Sequence, residues 1–468
     1  MKYQYKTKPY PHQVRALKFL LKNRGGGLQV PMRWGKTKVA VDFACCLALL
    51  DANPRMRVLV VCPLSAVGVW ESEIQKHSDN WALSYTGDQF IDMGDEISWR
   101  IVNYEQTYGR LYTEGRSWVP VPNQELLNYN ADLVIVDESH RIGKPTTQQS
   151  KEVYRLGRRA KYRLLMTGTM FHRKPFYVFG QAKFYDPTIF GGAFGSFQKR
   201  IAIFGGYGGH KVIRYTNLKW MMRQMRKFVY IERYVPPRDT AHTPLYFTLT
   251  GRNREAYLAM EKESVLDLVD ESVISPIVLS RHLRCQQIAG GWVKGEQRYR
   301  RVGDDKLRVA RDRFQLYMDE GIQKIVVGCR FIPELSDAMT AARAAGYKVA
   351  VMHGGVPRAD RDRKIKWFQE YDGPAVFVSQ ISTGKEGIDL SVADVMLFYS
   401  LSESYVDHDQ FSRRIEKYNE QRVLAYDYLV AAGTRDEVTY EAIQMKKDVA
   451  RFLLKNPRRV EKITAKRV

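Results

Sequence analysis

Short apolar runs alternate with longer amphipathic stretches through most of the chain. Gly26–Val30, Arg57–Cys62, Trp99–Asn103, Asp132–Val136 and Tyr162–Met166 read as strands buried on both faces, because their apolar residues are continuous. Thr37–Leu50 and Val67–Lys76 between them read as helices. The pattern returns later. Lys324–Cys329, Val349–Met352, Ala375–Ser379, Val395–Tyr399 and Val423–Leu429 are strand-like, and Ile332–Ala345, Arg358–Glu370 and Val406–Lys417 are helix-like. Strand–helix alternation of this kind predicts two α/β blocks, each with a parallel sheet covered by helices.

The grammar changes between the blocks. Gly191–Gly209 is rich in Gly and Phe, Asn217–Arg233 reads as a very basic helix, and Pro236-Pro237 breaks it. Met221, Met222 and Met225 with Trp220, and Phe194, Phe197, Phe204 and Tyr207, have spacings that suit packing better than recognition. The expected organisation is residues 1–180 as a first α/β domain, 181–240 as a basic insertion, 241–310 as a helical lead-in, and 311–468 as a second α/β domain with a basic tail.

Composition sharpens this in one respect. The 468-residue chain has 74 Lys and Arg against 51 Asp and Glu, a net charge of +23, which calls for a polyanionic partner. The charge is concentrated. Ser196–Arg238 holds ten basic residues against Glu232, and Lys446–Val468 holds nine against Asp448 and Glu461. Arg223, Arg226, Lys227 and Arg233 are candidates to grip that polyanion, nucleic acid or an anionic membrane surface, since a merely solvated face mixes signs. No apolar run approaches the length of a membrane span, and no amphipathic anchor marks a membrane-surface protein. Cys45, Cys46, Cys62, Cys285 and Cys329 lack metal spacing and read as reduced core residues, so neither a disulfide framework nor a structural zinc is expected. The N-terminus lacks the apolar stretch of a signal peptide, and a cytoplasmic setting is expected.

Two local features carry chemistry. Gly35-Lys36-Thr37 follows a strand and opens a helix, as in a phosphate-binding loop, where backbone amides face phosphates, the Lys reaches their oxygens and the Thr hydroxyl ligates Mg²⁺. The full pattern puts a Gly at Pro31 or Met32, so an ordinary strand–turn–helix junction stays open on this evidence alone. Leu133–Val136 ends in Asp137-Glu138-Ser139-His140, which puts two carboxylates at the edge of a sheet where ligands of α/β proteins bind. Asp137 suits Mg²⁺ and Glu138 suits orienting or deprotonating a water.

Asp137-Glu138-Ser139-His140 resembles the acidic box of superfamily 2 helicases, and the chain is more closely similar to their Swi/Snf-type branch over most of its length. Tyr10-Pro11-His12-Gln13 resembles a nucleotide-sensing Gln motif. Val61–Ser65 with Trp70 and Glu73, Ile101–Glu105, and Leu165–Thr169 resemble motifs Ia, Ib and III. In the second block, His353-Gly354-Gly355, Ser382–Leu390 with Ala393-Asp394, and Asp409–Arg414 resemble motifs IV, V and VI. Arg284–Gln287 is similar to a helix near the start of the second lobe. Two departures stand out. Arg33 replaces the usual loop Gly, and motif VI, anchored on Gln410, puts Arg414 at the first arginine position and Lys417 at the second.

The resemblance implies tandem RecA-like domains with inserted helical basic protrusions, ATP and Mg²⁺ bound in the cleft between lobes, and movement along DNA. Gln13 would read adenine. Arg33, Gly35, Lys36 and Thr37 would form the loop, with Gly387, Asp389, Arg413 and Lys417 completing the nucleotide site. Lys36, Asp137, Glu138, Gln410 and Arg414 would be catalytic, with Thr37 and Asp137 on the metal and Arg414 as an arginine finger. His140, Thr167 and Thr169 would relay nucleotide state, and Ser65, Asn103, Tyr104, Gly354 and Thr383 would touch the nucleic-acid backbone. The expected function is a monomeric ATP-dependent DNA helicase or translocase acting on forks and junctions, similar to compact phage-encoded enzymes. An RNA helicase and a non-hydrolysing ATP-sensing clamp remain as alternatives.

Overall fold

A computed structural model describes residues 3–31, 33–80, 82–84, 97–113, 117–168, 170, 175–205, 211–232, 240–265, 276–295, 298–384, 388–417 and 422–445. The chain divides into two compact units, residues 1–235 and 236–468.

The first unit is built on a seven-stranded sheet. Its spatial order is Val229–Ile231, Gly26–Gln29, Tyr162–Thr167, Leu133–Asp137, Arg57–Cys62, Ser98–Asn103 and Ala82–Ser84. Every pairing is parallel. Val58–Cys62 and Leu133–Val136 are fully buried, which is why they read as unbroken apolar runs. The helix Lys36–Leu50 is buried almost all round, from Lys38 through Ala48. Its one internal charge pair, Lys38 with Asp42 at 3.0 Å, is closed by the Tyr3 hydroxyl on Asp42 at 2.8 Å.

The basic insertion differs from its reading as a helix over 217–233. The helix is Leu218–Met225, and Val229–Ile231 is the edge strand beside Gly26–Gln29. An open sheet edge next to a β-branched, aromatic segment overrides helical periodicity. Before the helix, Phe194–Ile201 leads into an antiparallel pair, Ala202–Gly205 with Lys211–Tyr215. The insertion is therefore mixed α and β, not purely helical. Phe190, Phe197, Met221, Met225 and Phe228 are buried in one cluster with the sheet, so the Met and Phe spacings are packing.

The second unit has a six-stranded sheet, in the order Thr240–Phe247, Leu424–Ala431, Val395–Phe398, Lys324–Cys329, Ala375–Gln380 and Lys348–Met352, again all parallel. Thr240–Phe247 lies in the stretch read as a helical lead-in. It is an edge strand with an exposed first half, so it shows no apolar run. Helices Asp305–Asp319, Ile332–Ala344 and Arg358–Glu370 cover the sheet, and the helix expected to reach Lys417 ends at Ser412. All five cysteines are buried and free. Among the described residues no helix is long and apolar enough to cross a membrane.

Charge is buried in this unit too. Lys306 donates to Asp436 at 2.8 Å, with both side chains almost wholly covered. Glu334 beside them accepts from the Phe331 amide and the Ser400 hydroxyl, and burial holds its carboxyl above the usual range. Removing one member of a buried pair strands the other charge. Lys306→Met is therefore expected to lower the unfolding free energy of this unit by about 3–5 kcal/mol, read as the denaturation midpoint. A loss within the range of surface substitutions would contradict it.

Candidate functional site

The carboxyl edge of the first sheet collects the first unit's predicted chemistry, because three adjacent strands, Gly26–Gln29, Tyr162–Thr167 and Leu133–Asp137, end there side by side. After Gln29 the chain turns through Gly35, whose φ of +73° is left-handed, and enters the helix Lys36–Leu50 without a side-chain cap. The left-handed backbone favours glycine here, and a Cβ on Gly35 would lie 2.2 Å from Gln13 Nε2 and displace that amide. Arg33 is also left-handed, at φ +63°. That is the conformation at which glycine, the residue the resemblance implies there, is free of strain. An arginine carries a strain of about 1 kcal/mol or more at such a position.

Gln13 is buried, and its amide is turned onto the loop. Nε2 lies 3.3 Å from the carbonyls of both Trp34 and Gly35, and Oε1 accepts from the Tyr10 amide at 2.8 Å. His12 Nε2 lies 2.7 Å from the Trp34 carbonyl, so that nitrogen carries the proton, and burial lowers the ring's pKa. In this structure the Gln13 amide braces the turn that leads into the helix Lys36–Leu50. Lys36 Nζ points back to the carbonyls of Val30 and Pro31 at 3.2 and 3.5 Å, and Thr37 follows it in the first turn.

Asp137 is held from two sides. Trp70 Nε1 donates to Oδ2 at 3.1 Å, and the Glu138 amide donates to Oδ1 at 2.9 Å. Burial, and then the neighbouring Glu138 charge, push its pKa up to about 6, against the pull of Lys36. A raised carboxylate beside a second acid fits a cation partner, since a divalent ion would relieve both causes. Thr37 and Asp137 are the side chains that would hold Mg²⁺, with phosphate oxygens supplying further ligands.

Glu138 Oε2 lies 3.3 Å from His140 Nδ1 and 3.4 Å from the Thr167 hydroxyl, and His140 Nδ1 is 3.3 Å from that hydroxyl. The expected relay pair therefore meets at Glu138. Thr169 lies outside the described residues. Ser139, which sequence reasoning passed over, donates to Gln181 Oε1 at 2.8 Å, and Gln181 Nε2 donates to the Met170 carbonyl at 2.7 Å. This bolts the acidic box to the helix Val178–Tyr185.

Of the nucleic-acid candidates, Ser65 is exposed just past Arg57–Cys62. Asn103 caps the turn Tyr104–Thr107, accepting from the Gln106 amide at 2.9 Å. Tyr104 is fully buried with its hydroxyl on the Asp137 carbonyl, so it is a strut beneath the acidic box and not a contact surface. Arg223, Arg226 and Lys227 are exposed on and just after Leu218–Met225. Arg233 and Gly387 lie outside the described residues.

In the second unit, parallel pairing of Lys348–Met352 with Ala375–Gln380 brings two candidate loops together, and a Cβ on Gly354 would lie 4.0 Å from the Thr383 hydroxyl. Arg414 is buried and points Nη1 at the Ile388 carbonyl at 3.4 Å, while its own carbonyl accepts from the Leu390 amide at 3.1 Å. Asp389 in that loop accepts from the Ser391 amide and hydroxyl at 2.9 and 2.8 Å. Arg413 is bidentate on Asp409, at 3.0 Å for both bonds, Gln410 is buried and Lys417 is exposed. The motif V and VI segments therefore meet within this unit, and Arg413 is tied to a carboxylate that competes with any phosphate.

A family model described as SNF2-related domain matches residues 12–288, and one described as helicase conserved C-terminal domain matches residues 307–419. The chain belongs to the SNF2-related family. It is 22% identical over 434 residues to the DNA repair and recombination protein RDH54 of Saccharomyces cerevisiae, covering 85% of this chain and 46% of that protein. It is 22% identical over 477 residues to the DNA annealing helicase and endonuclease ZRANB3 of Mus musculus, covering 98% of this chain and 42% of that protein. The chain thus spans less than half the length of these curated relatives. Among solved structures it is similar to the Sulfolobus solfataricus SWI2/SNF2 ATPase core in complex with dsDNA, with 20% identity, a TM-score of 0.45, and coverage of 99% of this chain and 98% of that one.

For this SNF2-related chain the raised Asp137 pKa has a measurable consequence. Ionised Asp137 is the form that would hold a cation, and it is lost as pH falls through about 6. Affinity for ADP at saturating Mg²⁺ is expected to drop by about tenfold per pH unit below that point, read by calorimetry, and Asp137→Ala is expected to flatten the profile. An equally steep profile in that variant would assign the titration elsewhere.

Proposed function

We propose that the chain is an ATP-dependent DNA helicase or translocase that remodels branched DNA, such as forks and junctions, in replication, recombination or repair. The observation that carries this reading is the single sheet edge where Lys36 at a helix N-terminus, the Asp137–Glu138 pair and the Thr167–His140 contact converge. In this assignment Lys36 neutralises phosphate charge, Thr37 and Asp137 hold Mg²⁺, and Glu138 orients the attacking water. Arg414, in the second unit, stabilises charge on the transferred phosphoryl group. Arg413 is the less suited arginine because Asp409 already occupies its fork.

DNA is favoured as the track by the printed names of the relatives, which are DNA repair and DNA annealing proteins. Ser65 and Asn103 in the first unit, with Gly354 and Thr383 in the second, are the proposed backbone contacts. Contacts of this kind position the protein without reading sequence. We assign the grip on duplex or branch to Arg223, Arg226 and Lys227. The proposed setting is inside the cell, with a single chain as the working unit.

ATP turnover and unwinding across single strand, duplex, fork, four-way junction and RNA test the reading directly. DNA is expected to stimulate turnover, and Lys36→Ala or Glu138→Gln to lower it by about 10²–10³. Stimulation by RNA alone would replace the DNA reading. ATP binding with no turnover on any substrate would replace the motor by a clamp.

The basic helix has its own readout. Replacing Arg223, Arg226 and Lys227 together by Ala is expected to weaken DNA binding and to flatten the log affinity against log salt plot by about one unit per residue that meets a phosphate. Unchanged affinity and slope would take this helix off the DNA path.

A further inference from the structure

Glu138, the residue assigned to the attacking water, has φ +48° and ψ +49°. A left-handed backbone is disfavoured for any residue with a Cβ, and it persists only where its surroundings hold it. Three bonds converge on the two peptides involved. The Glu138 amide donates to Asp137 Oδ1 at 2.9 Å, and the Arg141 amide donates to the Glu138 carbonyl at 3.0 Å. The third comes from outside the box. The Tyr104 phenol donates to the Asp137 carbonyl and also lies 3.3 Å from the Glu138 carbonyl.

Tyr104 belongs to a different loop. Parallel register sets Cys62 beside Asn103 and Val61 beside Val136, so the Asn103 and Asp137 strand ends share one edge with a single strand between them. Two strand spacings are about 10 Å, a gap that a tyrosine side chain reaching across the intervening strand end helps to bridge. Tyr104 is fully buried, and burial with the Asp137 charge pushes its ionisation far up, so its hydroxyl stays a donor. The Arg141 guanidinium lies 5.4 Å from the ring centroid and covers the phenol from the box side.

The turn behind Tyr104 is tightly braced. Asn103 and Gln106 exchange side-chain and backbone bonds at 2.8 and 2.9 Å. The Thr107 hydroxyl donates to the Tyr104 carbonyl at 2.7 Å, and Asn123 Nδ2 donates to the Gln106 carbonyl at 3.0 Å. The antiparallel pair Tyr108–Thr113 and Ser117–Pro122 springs from this turn. These bonds tie Asn103 to Tyr104, its neighbour in the chain, through a single hydrogen-bonded turn.

We propose that Tyr104 is a positioning residue that locks the left-handed peptide of Glu138, and that the Asn103–Thr107 turn transmits nucleic-acid engagement to the catalytic carboxylate through that lock. The proposal rests on the reading of this edge as an ATP site with Asn103 on the nucleic acid. It is a second path into Glu138, separate from the contact through His140 and Thr167.

Tyr104→Phe keeps the ring and its stacking and deletes only the hydroxyl. The expected result is a fall of about tenfold to a hundredfold in DNA-stimulated kcat, with the KM for ATP and the Kd for DNA within about twofold of the unmodified chain. Gln106→Ala loosens the turn without touching the acidic box. It is expected to lower stimulated kcat in the same direction, and the double variant to lose no more than the worse single one, as for two changes on one path. Stimulated kcat within twofold of the unmodified chain in Tyr104→Phe would overturn the proposal. So would losses that multiply in the double variant, or a Kd for DNA that rises in step with the fall in kcat. If the unmodified chain shows no nucleic-acid-stimulated turnover at all, the proposed function fails first and this inference falls with it.

Discussion

A half-buried carboxylate beside a second acid is expensive to keep ionised, and Asp137 is the one on which the first unit's site depends. Burial and the charge of Glu138 raise its pKa to about 6, while the Trp70 indole, the Glu138 amide and the field of Lys36 pull the other way. The balance leaves it ionised at neutral pH but poorly compensated. A cation introduced with a phosphate would supply what the protein withholds. Lys36 is poised in the same sense. Its ammonium rests on the carbonyls of Val30 and Pro31, neutral partners that an anionic phosphate outcompetes.

Backbone conformation does as much as charge here. Gly35, Arg33 and Glu138 are all left-handed, and two of the three carry a Cβ. The surrounding bonds have definite targets. Gln13 and His12 fix the carbonyls of Trp34 and Gly35, and Tyr104 fixes those of Asp137 and Glu138. Both sets come from side chains that motif spacing puts near ligands. Spacing reports which residues share a neighbourhood. It does not report whether a polar atom faces the ligand or the loop that receives it, and the Tyr104 hydroxyl is turned onto the loop.

The same distinction separates what was legible in the sequence from what was not. Central strands such as Leu133–Asp137 and Lys324–Cys329 declare themselves because both faces are buried and all but one end residue form an unbroken non-polar run. The edge strands Val229–Ile231 and Thr240–Phe247 do not, since each has a single neighbour and mixed exposure. The acid pair and the Gly-Lys-Thr turn were readable from local chemistry. Trp70 on Asp137, Ser139 on Gln181, and Lys306 on Asp436 were not, because each pair is far apart in the chain and nothing local marks a partner. The buried Lys306–Asp436 pair is the extreme case, at a separation of 130 residues.

Net charge is the coarsest property of the chain, and the structure gives it a range of action. At physiological ionic strength a surface charge is screened within about 8–10 Å. Basic residues paired in place contribute little at that distance: Arg24 and Lys161 share Asp51, and Arg15 meets Glu232. Arg223, Arg226 and Lys227 are exposed on an insertion in which Glu232 is the lone acid from Ser196 to Arg238. A polyanion feels these side chains only where its backbone passes close to the helix Leu218–Met225. The sheet edge and the insertion therefore divide the work by distance. On the proposed function, chemistry falls to the edge, where Lys36, Asp137 and Glu138 converge. On the same proposal, discrimination among single strand, duplex and branch would fall to the insertion, because only some of those shapes bring a second phosphate backbone within reach of its cations.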